Sequence, residues 1–250
     1  MLIDPADEQM LLTVIGEGNA VLFLGAGASA TSTTQIGKPV MMASTLAAKL
    51  ASMAGLTYAD EDLTEVLSAV VGPRVSTGTF HELLKTEYTK TKPAKELEDI
   101  FSFSWRRIYS WNIDDAVENV RTGVQSRRYF NGLIDRVSAY EGLEFLQVIH
   151  LHGEALKPEH GFIFSSAQYN ERLNQDTHDW YRQAASDYVL HSPIFIGSRL
   201  KEPILSAELD RARPNPDAGL GLAFLITPDK FSQIQMQGLR HEISLLYLAH

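Results

Sequence analysis

Residues 20–30 read Ala-Val-Leu-Phe-Leu-Gly-Ala-Gly-Ala-Ser-Ala, and how this stretch is read decides the fold. Ala20 to Leu24 is an apolar run of strand length that stops at Gly25, and glycine returns at Gly27. With no Cβ at those two positions, the backbone can pass close to a ligand. A strand that breaks into a glycine turn and then a helix aims free backbone N–H groups and a helix N-terminus at one point. That point suits a phosphate or pyrophosphate. The spacing fits the dinucleotide pattern G-x-G-x-x-G/A, with Gly25, Gly27 and Ala30 in its three places. The same two glycines equally suit a tight strand-to-helix turn that serves packing alone.

Working outward, residues 7–18 read as a short amphipathic helix before the first strand, 20–25. Residues 43–54 have strong helix propensity and Gly55 follows as a stop. Residues 60–100 are charged and helical in pattern, with breaks at Gly72-Pro73 and near Pro93, and they read as a helical insert. A short strand at 107–111 runs into Asn112. Four apolar strands follow at 145–151, 193–197, 220–226 and 243–248, separated by helical stretches at 167–190, 199–212 and 230–238. Strands alternating with helices predict a parallel sheet with right-handed crossovers.

Bulk properties narrow the function classes. The 250 residues suit one large α/β domain, and 44% apolar content is enough for a core. A net charge of −9, with basic residues dispersed in pairs such as Arg106-Arg107 and Arg127-Arg128, speaks against a nucleic-acid-binding face. The absence of cysteine rules out disulfides, thiolate zinc sites and a cysteine nucleophile, and is compatible with a reducing cytosol. The acidic start, Met-Leu-Ile-Asp-Pro-Ala-Asp-Glu, has no basic flank or long apolar core. No apolar run approaches membrane-spanning length, so the chain is expected to be soluble and cytoplasmic.

In parallel sheets ligands bind beyond the carboxyl ends of the strands. Four predicted strand ends in this chain carry glycine or compact polar groups. They are Gly25-Ala26-Gly27-Ala28-Ser29, Asn112-Ile113-Asp114-Asp115, His150-Leu151-His152-Gly153-Glu154 and Gly197-Ser198-Arg199. His152 suits a general base or a ribose-hydroxyl partner, because imidazole titrates near neutral pH, or else a structural histidine bonded to backbone. His150 reads as structural, and no third ligand at metal-site spacing accompanies the two histidines. Asn112 and Asp114 are either site residues or turn residues. Asp115 and Glu118 read as acids in the first turn of a helix. Ser198 either caps the following helix or touches a ligand, and Lys38 and Arg199 either balance phosphate charge or are solvated. The Asp or Glu expected about 20 residues past the glycines of a dehydrogenase is missing, since no acidic residue lies between Thr31 and Ala59. Ordinary hydride transfer is disfavoured.

Taken in order, Gly25-Ala26-Gly27-Ala28-Ser29, Trp111-Asn112-Ile113-Asp114, Leu151-His152-Gly153 and Phe195-Ile196-Gly197-Ser198 resemble the motifs of the sirtuin-like superfamily. Those motifs are a Gly-Ala-Gly-x-Ser loop, a Gln-Asn-Ile-Asp element, a His-Gly with the catalytic histidine and a Gly-x-Ser element. The resemblance runs from about residue 18 to 248. It departs from the deacylases in two places: no cysteine is available for their four-cysteine zinc module, and Trp111 replaces the glutamine. Both departures resemble the divergent bacterial branch of NAD-cleaving effectors in anti-phage defence. In that branch the domain is commonly the N-terminal part of a longer protein.

The resemblance implies an α/β, Rossmann-like parallel sheet flanked by helices, with a helical insert at about 55–105 and no zinc module or other metal. It implies an NAD glycohydrolase that yields nicotinamide and ADP-ribose, with NAD as substrate and a homo-oligomer or a partner protein as activator. His152, Asn112 and Asp114 would be catalytic, while Gly25, Ala26, Gly27, Ser29, Gly197 and Ser198 would hold the dinucleotide. The alternatives are an NAD-dependent protein deacylase and a non-catalytic module sensing NAD or ADP-ribose.

Overall fold

Ala20–Leu24 forms β1, and all five of its residues are buried, as a central parallel strand covered on both faces requires. The computed structural model describes residues 5–137, 145–174, 179–198, 200, 202–212, 222–227 and 242–247. Six further strands are described: β2 Arg107–Ser110, β3 Arg127–Asn131, β4 Leu146–His150, β5 Ser192–Ile196, β6 Leu222–Thr227 and β7 Glu242–Tyr247. Together they make one sheet in the order β3-β4-β2-β1-β5-β6-β7, and every pairing is parallel. Without β3 at the edge, this is the Rossmann order. The chain reverses its direction of growth between β1 and β5, the place where ligands bind in sheets of this kind.

Side chains alternate along the strands as the pleat demands. Val21, Phe23, Tyr109, Ile149 and Phe195 join one core. It is closed by helices α7 Ser166–Asn174, α8 Asp179–Leu190 and α9 Pro203–Ala212, through Trp180, Tyr188 and Leu205 among others. Ala20, Leu22, Leu24, Ile108, Val148 and Ile194 face the opposite core. There they meet α1 Pro5–Gly16, α5 Lys95–Ile100 and α6 Ala116–Asn119, through Leu11, Val14, Ile15, Leu97 and Val117. α1 carries only this partly buried stripe, and Met10 and Leu12 stay exposed.

A third cluster forms among α2 Ala43–Met53, α3 Leu63–Val70 and α4 Thr77–Tyr88, and it includes Ile113, Ala155 and Phe162. Whereas α5 lies in the core that Leu22 faces, Ile113 and Ala155 lie just past the ends of β2 and β4, so α3 and α4, with α2, pack against the carboxyl edge of the sheet. Two backbone anchors tie them there. Thr33 pairs with Lys92 beside the glycine loop. The Asp115 carboxylate accepts from the N–H of Lys90 at 2.6 Å, the N–H of Thr91 at 2.9 Å and the Thr91 hydroxyl at 2.7 Å. Asp115 precedes α6, but its side chain makes no capping bond to that helix.

The expected strands at 107–111, 145–151, 193–197, 220–226 and 243–248 all form within two residues of those bounds. β3 was not anticipated. It is an edge strand whose Arg128 and Tyr129 are exposed, so it lacks the apolar run that marks a buried strand. The expected helix at 230–238 lies outside the described residues. Among the described residues no helix is long and apolar enough to cross a membrane.

Candidate functional site

The sheet register brings the strand ends level. Leu24 pairs with Ser110 on one side and Ile196 on the other, and Ser110 pairs with His150. Residues just past this row therefore share one edge: Gly25 after β1, Trp111 and Asn112 after β2, Leu151 and His152 after β4, and Gly197 and Ser198 after β5. At the usual interstrand spacing of about 4.8 Å, four adjacent ends span roughly 14 Å.

The glycine loop differs from its expected form. A 3-10 turn, Ala26–Ser29, follows Gly25, and the next α-helix begins only at Ala43. Three loop amides already have acceptors: Gly25 N–H donates to Ile196 O at 2.9 Å, Gly27 N–H to Gly197 O at 3.0 Å and Ala28 N–H to Gly25 O at 2.9 Å. Free amides converging at a helix N-terminus, as the sequence suggested, are not what forms here. The cause is the proximity of the β5 loop. A Cβ on Gly25 would stand 2.5 Å from Gly197 O, and one on Gly27 would stand 2.7 Å from Gly197 Cα. Gly197 itself has φ +66°, and a Cβ there would collide with the Ala28 amide nitrogen. Three glycines thus interlock two loops at the carboxyl edge of the sheet.

Beyond that lock the polar groups form a chain. Asn112 Nδ2 donates to Ser29 Oγ at 3.0 Å, and Ser29 Oγ donates to Asp114 Oδ1 at 3.1 Å. The Ala116 N–H also donates to Asp114 Oδ1, at 3.1 Å. Burial pushes the Asp114 carboxyl up to about 6, against the pull of these two donors. Ser198 does not cap α9, which begins at Pro203. Its hydroxyl accepts from Leu200 N–H at 3.1 Å, and Leu200 holds a positive φ of 56°. Arg199 lies outside the described residues.

The two histidines diverge. His150 is 1% exposed. Its Nε2 lies 2.6 Å from Glu118 Oε1, and its Nδ1 lies 2.9 Å from the Asn112 carbonyl oxygen. Burial alone would lower its pKa, but Glu118 outweighs that and raises it to about 9. His150 is therefore an imidazolium clamped between a carboxylate and a carbonyl, as its structural reading expects.

His152 Nε2 instead lies 3.1 Å from Glu202 Oε2. Tyr169 of α7 stands edge-on to the ring, and its hydroxyl is 3.5 Å from Nε2 and 3.4 Å from Glu202 Oε2. Tyr181 of α8 donates to Glu202 Oε1 at 3.2 Å. Burial and the neighbouring carboxylate push both phenols above their usual range, so both remain donors. Gly153 follows with φ +92°, and a Cβ there would stand 2.5 Å from Gly161 O.

Glu202 also lines a cavity of about 20 Å³ with Trp111, Tyr188, Phe195, Leu200 and Leu205, which is room for about one water. Among the described residues no three metal-ligating side chains converge. Reading the sequence alone did not find Glu202. Its one local signal is its place immediately before Pro203, where its carbonyl accepts from Ser206 N–H and opens α9. No protein-family model matches this chain, and a search of the curated proteins likewise finds no match.

Proposed function

We propose that the row of strand ends binds NAD and hydrolyses its nicotinamide–ribose bond to give nicotinamide and ADP-ribose. The observation that carries this reading is the level row of strand ends. It sets a close glycine lock, an Asn–Ser–Asp chain and a histidine–glutamate pair side by side at the carboxyl edge of a Rossmann-like sheet. Breaking the bond needs a held leaving group, a positioned nucleophile and a base. His152 serves as general base on water or a ribose hydroxyl, a role worth roughly 10²–10⁴ in rate. Asn112 orients the nicotinamide ribose, and Asp114, when ionised, accepts from the carboxamide. Gly25, Ala26, Gly27 and Ser29 lie along the pyrophosphate, while Gly197 and Ser198 line the adenosine ribose and phosphates.

On this reading the chain would act as the zinc-free bacterial effectors of the sirtuin-like superfamily do, depleting NAD in anti-phage defence. A homo-oligomer or a partner protein would switch it on.

The test is NAD consumption by the purified protein beside His152→Ala and Asn112→Ala, over a wide range of protein concentration. Turnover by wild type alone, rising steeply with concentration, supports a hydrolase activated by assembly. Equal turnover in all three proteins sinks the site. Tight NAD binding without turnover in every assembly state identifies a sensing module instead, and an acylated peptide consumed in step with NAD identifies a deacylase.

A further inference from the structure

We infer that Glu202 is the positioning residue that fixes the tautomer of His152, holding the ring proton on Nε2 and leaving Nδ1 as the basic nitrogen. The bonds that His152's ring makes among the described residues all fall on Nε2: Glu202 Oε2 at 3.1 Å and, more distantly, the Tyr169 hydroxyl. A carboxylate only accepts, so the nitrogen facing it carries the proton, and neutral imidazole then has its lone pair on the other nitrogen. Histidine and glutamate are both buried, 7% and 8% exposed, so water screens the pair little.

Glu202 is itself held from three sides. Its backbone opens α9, Tyr181 donates to Oε1, and Tyr169 reaches Oε2. A base oriented by a third group that holds its far nitrogen is a recurrent catalytic arrangement.

The catalytic half of this inference rests on the NAD-hydrolysis reading, whereas the tautomer half does not. In the reaction, water oxygen bonds to the ribose carbon as the bond to nicotinamide nitrogen breaks. The bonding pair goes to that nitrogen and neutralises its positive charge. The water proton passes to His152 Nδ1, the resulting imidazolium is stabilised by Glu202, and the proton is then released to solvent.

The experiment is nitrogen-15 NMR of the His152 ring in the unliganded full chain, for wild type, Glu202→Gln, Glu202→Asp and Tyr181→Phe. NAD turnover and circular dichroism are recorded on the same samples. Expected are an Nε2–H tautomer in wild type and a shift toward Nδ1–H in Glu202→Gln, whose amide can donate to Nε2. Retention of Nε2–H is expected in Glu202→Asp and Tyr181→Phe.

Turnover is expected to fall on the order of 10²–10⁴-fold in Glu202→Gln and to recover partly in Glu202→Asp. A wild-type Nδ1–H ring, or a tautomer indifferent to Glu202→Gln in a folded protein, overturns the inference. So does unchanged turnover in Glu202→Gln when wild type is active. If wild type consumes no NAD in any assembly state, the hydrolysis reading has failed and the NMR result alone decides the role of Glu202.

Discussion

His150 and His152 sit two residues apart at the end of β4, each facing a carboxylate, yet their situations are opposite. His150 is the last residue of the strand and is clamped on both ring nitrogens by Glu118 and the Asn112 carbonyl. His152 lies past the strand end, and its bonds among the described residues fall on one nitrogen, against a glutamate that borders a cavity. A histidine inside a sheet must satisfy both nitrogens locally, because an unmet buried polar group costs about 1–3 kcal/mol. Position relative to the strand end, more than residue type, separates a clamp from a candidate base.

The largest effect that tests the contrast is on activity. His152→Ala should lower NAD turnover by about 10²-fold or more and cost less stability than His150→Ala, because Tyr169 and Tyr181 still donate to Glu202. His150→Ala should do the reverse at the level of folding and cost about 3 kcal/mol, because it leaves the Glu118 carboxylate without its partner. Calorimetry beside the turnover assay separates them, and equal stability loss in both variants would erase the distinction.

A pH series sharpens it next. The folded pKa of His150 is raised from 6.5 to about 9, so the folded state holds the proton more tightly than the unfolded chain. Its contribution is fully present below pH 6.5 and is lost as pH rises through about 9, amounting to at most roughly 3 kcal/mol. Asp114, raised from 3.8 to about 6 by burial, acts in the same direction over the lower window. Urea midpoints of wild type should therefore fall between pH 6.5 and 9, and Glu118→Gln should flatten that fall. A midpoint independent of pH across this window would contradict the clamp.

Next come the loops that border His152's side of the sheet. Gly197→Ala forces a side chain into a left-handed position against Ala28, and should cost about 2 kcal/mol or more, read as a lower denaturation midpoint. The smallest effect belongs to Ser198→Ala. It removes one local acceptor for Leu200 N–H and should cost about 1 kcal/mol or less. A larger loss of NAD binding than of stability in this variant would assign Ser198 to the ligand.

Much of this arrangement was legible along the chain because it is written locally. Apolar runs that stop at Gly25, Asn112, His152 and Gly197 mark buried strands and their ends, and the register then sets those ends level. β3 escaped notice because Arg127-Arg128-Tyr129 has no buried face to imprint an apolar pattern. Asp115 reads as a helix acid, but its carboxylate anchors Lys90 and Thr91, which only the fold brings near. Glu202 was invisible for the same reason, since nothing in the chain between His152 and Pro203 signals that the two meet.

The amino-acid sequence by itself determined the alternation of strands and helices and which chemistry-bearing residues end each strand. Those follow from periodicity and propensity over a few neighbours. The tertiary structure alone decided that the amides of Gly25 and Gly27 are taken by the end of β5 and the loop that follows it. It also decided that His150 answers to Glu118 and His152 to Glu202. Such pairings depend on crossover order and register, which bring together side chains that have no local means of marking one another.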